Sequence, residues 1–109
     1  MFARHVSLHL KQNAAREFRP IFEKEFLPLL RKQQGFIDEI VMLEPYRREA
    51  LTITLWEEKM YAEKFNREVY PELAAILDKF TEGIPIVKDF EVEYATIPSF
   101  EKFATVTTV

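Results

Sequence analysis

The chain has 109 residues, of which 48% are hydrophobic and 14% aromatic, and its formal net charge is -3. This length fits one domain with a substantial core. Lysine and arginine are scattered among acids, which argues against a nucleic-acid partner because such a surface needs a basic stripe. The absence of cysteine excludes thiol catalysis, disulfides and cysteine-ligated metals.

The N-terminus and the hydropathy of the chain bear on its location. The first residues, M-F-A-R-H, contain no signal-like apolar run, and no segment approaches the length needed to span a membrane. No internal repeat or low-complexity segment is present. The sequence therefore predicts a cytoplasmic protein without a membrane partner.

The chain begins with a strand that leads into a helical region. Residues Phe2 to Leu10 alternate between mostly apolar and polar positions, which predicts a strand. Asn13 is suited to cap the helix that follows, Ala14 to Gln34, whose apolar residues form a single stripe. Pro20 and Pro28 predict bends in this helix, because a proline lacks the N–H and crowds the carbonyl four residues back.

Gly35 suits a left-handed helix C-cap, and strand two follows it from Phe36 to Glu44. Apart from a few acids, this strand is apolar on both faces, which is typical of a strand that is covered on both faces. The sequence places Phe36, Ile40 and Met42 on one face, and Ile37, Val41 and Leu43 on the other.

The stretch from Leu51 to Leu73 passes from a strand into a helix. After a polar turn, Pro45 to Glu49, residues Ala50 to Trp56 alternate as strand three, and the apolar spacing then becomes helical. Trp56, the only tryptophan, therefore lies where sheet and helix separate and a cavity can open. It is a candidate wall of a small-molecule site; the alternative is a core tryptophan that anchors the sheet to the helix.

The last part of the chain contains two helical segments, a strand and a tail. A helix starting near Glu58 is interrupted at Tyr70, and a second segment, Pro71 to Phe80, is expected to end at Gly83. Strand four, Ile86 to Tyr94, alternates apolar residues with acids. The tail is too apolar for a plain disordered segment, which predicts that it packs on the domain or on a partner subunit through Phe100 and Phe103.

The element order strand, helix, strand, strand, helix, strand predicts a ferredoxin-like α+β fold (βαββαβ). Its four-stranded antiparallel sheet carries both helices on one face. Residues 1–94 would form this domain, and residues 95–109 a C-terminal arm. Apolar residues of strands two and three, including Val41, are left without cover by the helices. A second copy of the chain is the simplest cover, which predicts an isologous homodimer.

Three sequence features carry a resemblance to a known family: L-L-R-K-Q-Q-G-F (Leu29 to Phe36), T-L-W-E-E (Thr54 to Glu58) and V-Y-P-E-L (Val69 to Leu73). From Phe2 to Tyr94 the chain resembles the antibiotic-biosynthesis monooxygenase-like (ABM-like) proteins of the dimeric α+β barrel superfamily. The resemblance implies a barrel formed by two chains. The superfamily includes cofactor-free quinone-forming oxygenases, haem-degrading enzymes and lactone isomerases.

The resemblance extends to few functional residues. Trp56 matches the tryptophan that lines the active cavity of the quinone-forming and haem-degrading members. Where the quinone-forming members have an asparagine on the same strand, this chain has Thr52 and Thr54. The haem-degrading members use a first-strand asparagine, where Val6 stands here, and a histidine on the later helix, whereas no histidine follows His9. Haem ligation of that kind is therefore not expected, and the predicted enzyme uses no cofactor.

Further site candidates follow Trp56 along the chain. Tyr70 lies at the proline break, where its hydroxyl could reach a ligand and act in catalysis. Tyr61 and Asn66 lie on the preceding helical stretch and are candidates for substrate binding. Tyr61 is also spaced to pack against Phe65 in the core, which is the alternative interpretation.

The histidines His5 and His9 both lie on the polar face of strand one. They do not form a metal pair, because positions four apart on a strand are separated by roughly 13 Å. No metal site is therefore expected. His9 is a candidate catalytic base, since a histidine can take up a proton near neutral pH. Polar contacts inside the dimer are the simpler interpretation.

Two functions are compatible with these residues. In the first, an ABM-like monooxygenase stacks a small aromatic or phenolic substrate near Trp56, and His9 or a tyrosine removes a proton. The resulting carbanion then reacts with oxygen. In the second, a non-catalytic dimeric module binds a small aromatic ligand or serves in an interaction. No nucleophile, dyad or cofactor motif separates the two.

Overall fold

The structure, a computed structural model, describes residues 1–44, 46 and 48–98. One antiparallel sheet has the strand order β2-β3-β1-β4, formed by β1 (Phe2–Leu10), β2 (Phe36–Glu44), β3 (Glu49–Trp56) and β4 (Thr81–Glu91). The helical segments are α1 (Ala15–Ile21), a π-helical turn (Phe22–Phe26), α2 (Leu27–Arg31), α3 (Lys59–Glu68) and α4 (Tyr70–Leu77). This arrangement confirms the predicted ferredoxin-like α+β fold. The predicted packing of Phe100 and Phe103 concerns residues outside the described range.

Between its two prolines, the first helical region widens into the π-helical turn. The Leu27 N–H bonds the carbonyl of Phe22, five residues back. Pro28 lacks an N–H and crowds the carbonyl four residues back, so the α-helical pattern cannot continue through this turn. The rings of Phe22 and Phe26 stack with centroids 5.0 Å apart, and both are buried together with Phe18. The predicted bend is therefore a widened turn that presents aromatic rings to the core.

The ends of the first helical region differ from the prediction. Ala14 is the N-cap and makes no side-chain capping bond, while Asn13 adopts a positive φ of 67°. Gly35 has the expected left-handed backbone, with φ 81°, but α2 already ends at Arg31. Gly35 instead turns the chain into β2, and its carbonyl accepts a 2.8 Å hydrogen bond from the Glu57 N–H. This bond fixes the end of β3 against the start of β2.

The last strand starts earlier than the sequence predicts. β4 begins at Thr81 rather than Ile86, and Gly83 lies inside it instead of ending the preceding helix. The pairing of β4 with β1 has a register shift at this point, so extra residues of β4 bulge out of the ladder. A bulge accommodates both the left-handed Gly83 (φ 73°) and Pro85, which has no N–H to donate.

The helix-bearing face of the sheet is defined by the register of β2 and β3. Residues paired across antiparallel strands point to the same side of the sheet. Glu39, which pairs with Thr54, and Val41, which pairs with Thr52, therefore lie on this face. A bulge at the start of β2 moves Phe36 onto this face, where its ring contacts Trp56. The predicted grouping of Phe36 with Ile40 and Met42 is therefore wrong.

The opposite face of the sheet, called here the open face, has no helix over it among the described residues. Its apolar side chains include four that are 43 to 59% exposed: Ile40, Met42, Ile86 and Phe90. Leu51 and Ile53 lie between them on β3, and His5 lies at the centre with its buried Nδ1 unpaired among the described groups. Val41, which the sequence predicted to lie on a face that the helices leave uncovered, is exposed but lies on the helix side, at the edge beyond α1.

Replacing Gly35 with alanine should destabilise the fold more than the same change at Gly83. Both have positive φ, 81° and 73°, which costs a residue with a Cβ about 1–2 kcal/mol. A methyl at Gly35 would also overlap the Tyr61 ring, whereas nothing lies within 4 Å at Gly83. That overlap should add about 1–3 kcal/mol. Denaturant unfolding measures both losses, and equal values would contradict the close approach of Tyr61 to Gly35.

Candidate functional site

A cavity of about 80 Å³ lies between the helix-bearing face of the sheet and the helices. Its wall is mainly apolar, with aliphatic side chains and six aromatic ones: Phe18, Phe22, Phe26, Trp56, Phe65 and Tyr70. The polar side chains that line it are Arg4, Glu39, Thr52, Thr54 and Asn66. Apolar walls with a small number of polar groups are typical of small-molecule sites.

Trp56 combines the two roles that the sequence left open. It is the last residue of β3 and is only 1% exposed, so it belongs to the core. Its ring lies 6.0 Å from that of Phe36 and 5.5 Å from that of Phe65, measured between centroids. It also lines the cavity. Packing on both sides therefore holds the indole in a fixed orientation at the cavity wall.

Two other predicted site residues share the cavity with Trp56. Asn66, on α3, and Tyr70, the first residue of α4, line the same cavity. Val69 joins the two helices with a φ of -115°, and Pro71 occupies the first turn of α4. The proline break thus places Tyr70 at the cavity wall.

The remaining two predicted site residues lie elsewhere. Tyr61 packs against Gly35, and its hydroxyl is 3.5 Å from the Gln34 side chain. His9 is exposed and pairs with Glu49, whereas Trp56 pairs with Phe2 at the other end of β1. At the usual strand rise, these two ends are roughly 23 Å apart. The interpretation of His9 as a base acting beside Trp56 therefore does not fit the geometry.

Tyr70 is poorly suited to act as a base. Its burial, together with the negative charge of Asp78, raises the pKa of the phenol above its ordinary value. A tyrosine in this environment keeps its proton at neutral pH. Its hydroxyl can therefore donate a hydrogen bond to a ligand in the cavity but does not take up a proton.

Glu39 is the titratable group that the sequence reasoning missed. It lies on β2 opposite Thr54, and its Oε2 atom is buried without a hydrogen-bond partner among the described residues. Burial raises the pKa of this carboxyl to about 8, although a hydrogen bond with the Thr54 side chain opposes the shift. The sequence did contain one indication of this burial. Alternation along β2 places Glu39 on the same face as the apolar residues Val41 and Leu43.

Arg4 brings a positive charge to the cavity wall, and this charge is already paired. Its Nε and a terminal nitrogen donate to the two carboxylate oxygens of Asp89 at 2.8 and 3.0 Å. This pairing holds the pKa of Asp89 below its usual range. A third contact, 3.5 Å long, reaches the carbonyl of Ala62 on α3. Arg4 therefore ties β1, β4 and α3 together at the cavity.

The described part of the chain has neither a metal-binding cluster nor a membrane-spanning helix. No group of histidine, aspartate and glutamate side chains there could hold a metal ion. No helix there is both long and apolar enough to cross a membrane.

Comparison with solved structures identifies proteins of the same fold. A monooxygenase from the gene ActVA-Orf6 of Streptomyces coelicolor, solved with the ligand nanaomycin D, is 14% identical with a TM-score of 0.74; the match covers 89% of this chain and 91% of that one. SnoaB, a cofactor-independent oxygenase from Streptomyces nogalater, is 13% identical with a TM-score of 0.72, over 87% and 95%. A protein of unknown function from Nitrosomonas europaea is 17% identical with a TM-score of 0.72, over 89% and 93%.

No family model and no curated protein matches the chain. The structural likenesses show that the chain has the fold of the ABM-like proteins, and they confirm the predicted resemblance at that level. Proteins with this fold include named monooxygenases and at least one protein without a known function. The chemistry of the cavity must therefore be argued from its own residues.

Proposed function

We propose that this chain, which has the fold of the ABM-like proteins, binds a small phenolic compound beside Trp56 and oxidises it with molecular oxygen. The observation that carries the proposal is the cavity itself, with its aromatic walls and few polar groups. Aromatic walls favour a flat ring through stacking and edge-to-face contacts. Asn66 and Tyr70 supply hydrogen bonds that would orient the polar substituents of that ring.

The size of the cavity limits a substrate to a single ring at most. Its volume of about 80 Å³ is roughly half that of an engineered cavity of ~150 Å³ that binds benzene, so even one ring requires the cavity to widen. A groove of about 410 Å³ between α1 and β2 shares Phe18, Phe22 and Glu39 with the cavity as lining residues. We propose that a phenol enters from the groove with a rotation of the Phe22 side chain, which would join the two spaces and supply the missing volume.

The proposed reaction balances without a further reactant. A monophenol and O₂ give a para-quinone and water: the phenol loses four electrons, and O₂ gains them. One oxygen atom becomes the new carbonyl oxygen of the ring, and the other leaves as water. Loss of the hydroxyl proton starts the reaction, because a phenolate donates electrons to oxygen more readily than a phenol. Tyr70, which keeps its proton, would donate a hydrogen bond to the negative charge that develops.

The proposed assembly is a homodimer formed through the open face. Exposed apolar side chains from β2 and β4 flank this face, and half-buried ones from β3 lie between them. A contiguous apolar surface of this kind is unfavourable in water. A second copy related by a two-fold axis would bury the same residues on both chains.

The alternative function is a dimeric module that binds a small aromatic ligand without reaction. It is favoured by one feature of the cavity: Thr52 and Thr54 line it, on the strand where the resemblance to the quinone-forming members implies an asparagine. Under this alternative, the cavity and the dimer would be the same, but no oxygen would be consumed.

Oxygen uptake with a panel of single-ring phenols tests the catalytic proposal. We expect uptake with equimolar quinone formation that does not change when a metal chelator is added. Tyr70→Phe should lower kcat by about 10-fold or more, the equivalent of one hydrogen bond to a charged group. Saturable binding of phenols without oxygen uptake across the panel would contradict catalysis and support the binding module.

A further inference from the structure

We infer that Glu39 is the proton acceptor of the cavity and that it makes the site select phenols over aromatic rings without a hydroxyl. This inference rests on the proposed function. It assigns the proton-removing role to a residue on β2 rather than to His9, which lies at the far end of β1. It also defines the substrate class by a single chemical group, an aromatic O–H.

The position of Glu39 fits this role. The residue pairs with Thr54, which is two positions before Trp56 on β3, so its carboxyl lies on the face of the sheet that forms the cavity. The carboxyl shares a hydrogen bond with Thr54, while Oε2 is buried and has no partner among the described residues. A buried acceptor without a partner is unfavourable. The hydroxyl of a ring held against Trp56 would supply the missing donor.

The positively charged side chains near Glu39 do not offset the negative charge of its carboxylate. Arg4 lines the same cavity but is bound to Asp89 through two hydrogen bonds. On the groove side, Arg19 is bound at 2.7 Å to Glu23. Both cations are thus engaged by other carboxylates. Tyr70 is uncharged, since its own pKa is raised. Glu39 is therefore an acid whose pKa is controlled mainly by burial.

The resulting acidity is suited to phenol chemistry. Burial raises the pKa of Glu39 to about 8, and an unperturbed phenol such as tyrosine has a pKa of about 10. Proton transfer is efficient when donor and acceptor are this closely matched. An ordinary surface glutamate, with a pKa of about 4.3, would be a much weaker base.

The proton transfer brings no additional charge into the cavity. The O–H bond of the phenol breaks, its electron pair stays on the phenolate oxygen, and a new O–H bond forms on Glu39. When Glu39 is ionised, the pair carries one negative charge before and after the step. Apolar walls that disfavour a second charge therefore do not oppose this transfer.

Binding measurements can isolate the role of Glu39 from oxidation. Phenol and its methyl ether, anisole, are titrated anaerobically against Trp56 fluorescence from about pH 6 to about pH 9, below the pKa of free phenol. In the wild type, the preference for phenol should increase by about 10- to 100-fold as Glu39 ionises, because an ionised acceptor strengthens the hydrogen bond. Glu39→Gln should show no such increase. Asp38→Asn, which removes a carboxylate from the opposite face of β2, should behave like the wild type.

A second variant keeps the inference testable if Glu39→Gln does not fold. Thr54→Val removes a hydrogen bond that lowers the pKa of Glu39, so the increase in phenol preference should move to higher pH. A pH-dependent preference that persists unchanged in Glu39→Gln, or that stays at the same pH in Thr54→Val, would overturn the role of Glu39 while leaving the cavity as the site. If neither phenol nor anisole affects Trp56 in the wild type, the proposed function fails, and this inference with it.

Discussion

Replacing Ile53 with aspartate should convert the proposed dimer into a folded monomer. Ile53 lies in the middle of the open face, paired with His5 on one side and Ile40 on the other. In a two-fold interface each substitution occurs twice, so two carboxylates would be buried in an apolar contact. An unpaired buried charge costs about 3–5 kcal/mol. Light scattering at micromolar concentration should report twice the chain mass for the wild type and a single chain mass for the variant.

Val41→Asp is the matched control for this prediction. Val41 is on β2, next to Ile40, but it points to the helix side and lines the groove beside α1. It is 36% exposed, so a carboxylate there can remain hydrated. The Val41→Asp protein should therefore remain dimeric. A wild-type protein that is monomeric and well folded, or an Ile53→Asp variant that still dimerises, would show that the open face is not the interface.

Glu39→Gln should make the fold more stable in alkaline solution and remove much of its pH dependence. The folded pKa of Glu39 is raised from 4.5 to about 8. Between these values the folded chain holds a proton that the unfolded chain has lost, so the free energy of unfolding falls as pH rises. The fall is about 1.4 kcal/mol per pH unit, and the total approaches roughly 4–5 kcal/mol above pH 8. Glutamine cannot ionise and avoids this loss.

Denaturant unfolding at about pH 5.5 and about pH 8.5 measures this effect. The wild type should lose several kcal/mol between the two conditions, and Glu39→Gln should lose much less. Asp38→Asn controls for the removal of one negative charge from β2. If the wild type and Glu39→Gln respond equally to pH, the carboxyl of Glu39 is hydrated in the folded protein and cannot be the buried acid of the cavity.

Hydrophobic periodicity was sufficient to predict the fold and the position of Trp56 at the end of a strand. The change of spacing at Trp56 located the end of β3, and Pro71 located the break that directs Tyr70 to the cavity. Asn66 could be placed near them because it lies on the helix between these two points. These features depend on local sequence, where spacing and proline chemistry are informative.

Features that depend on pairing between distant strands were predicted less well. Gly83 indicated a helix end, but it lies in a bulge of β4 that only the register with β1 reveals. A bulge at the start of β2 likewise moved Phe36 to the other face of the sheet. Glu39 was overlooked because the sequence shows only an acid within an apolar strand. The raised pKa of Glu39 results from burial of its carboxyl, and burial is a property of the packed structure.

A crystal structure of the protein with a single-ring phenol tests the central claim most directly. The account predicts electron density for one ring in the cavity beside Trp56, with its hydroxyl oxygen about 2.5–2.8 Å from Glu39 Oε2. Ala62→Leu, which fills the cavity from α3, should exclude the ring under the same conditions. An empty cavity at saturating phenol, or a ring bound only in the surface groove or on the open face, would contradict the assignment of this cavity as the functional site.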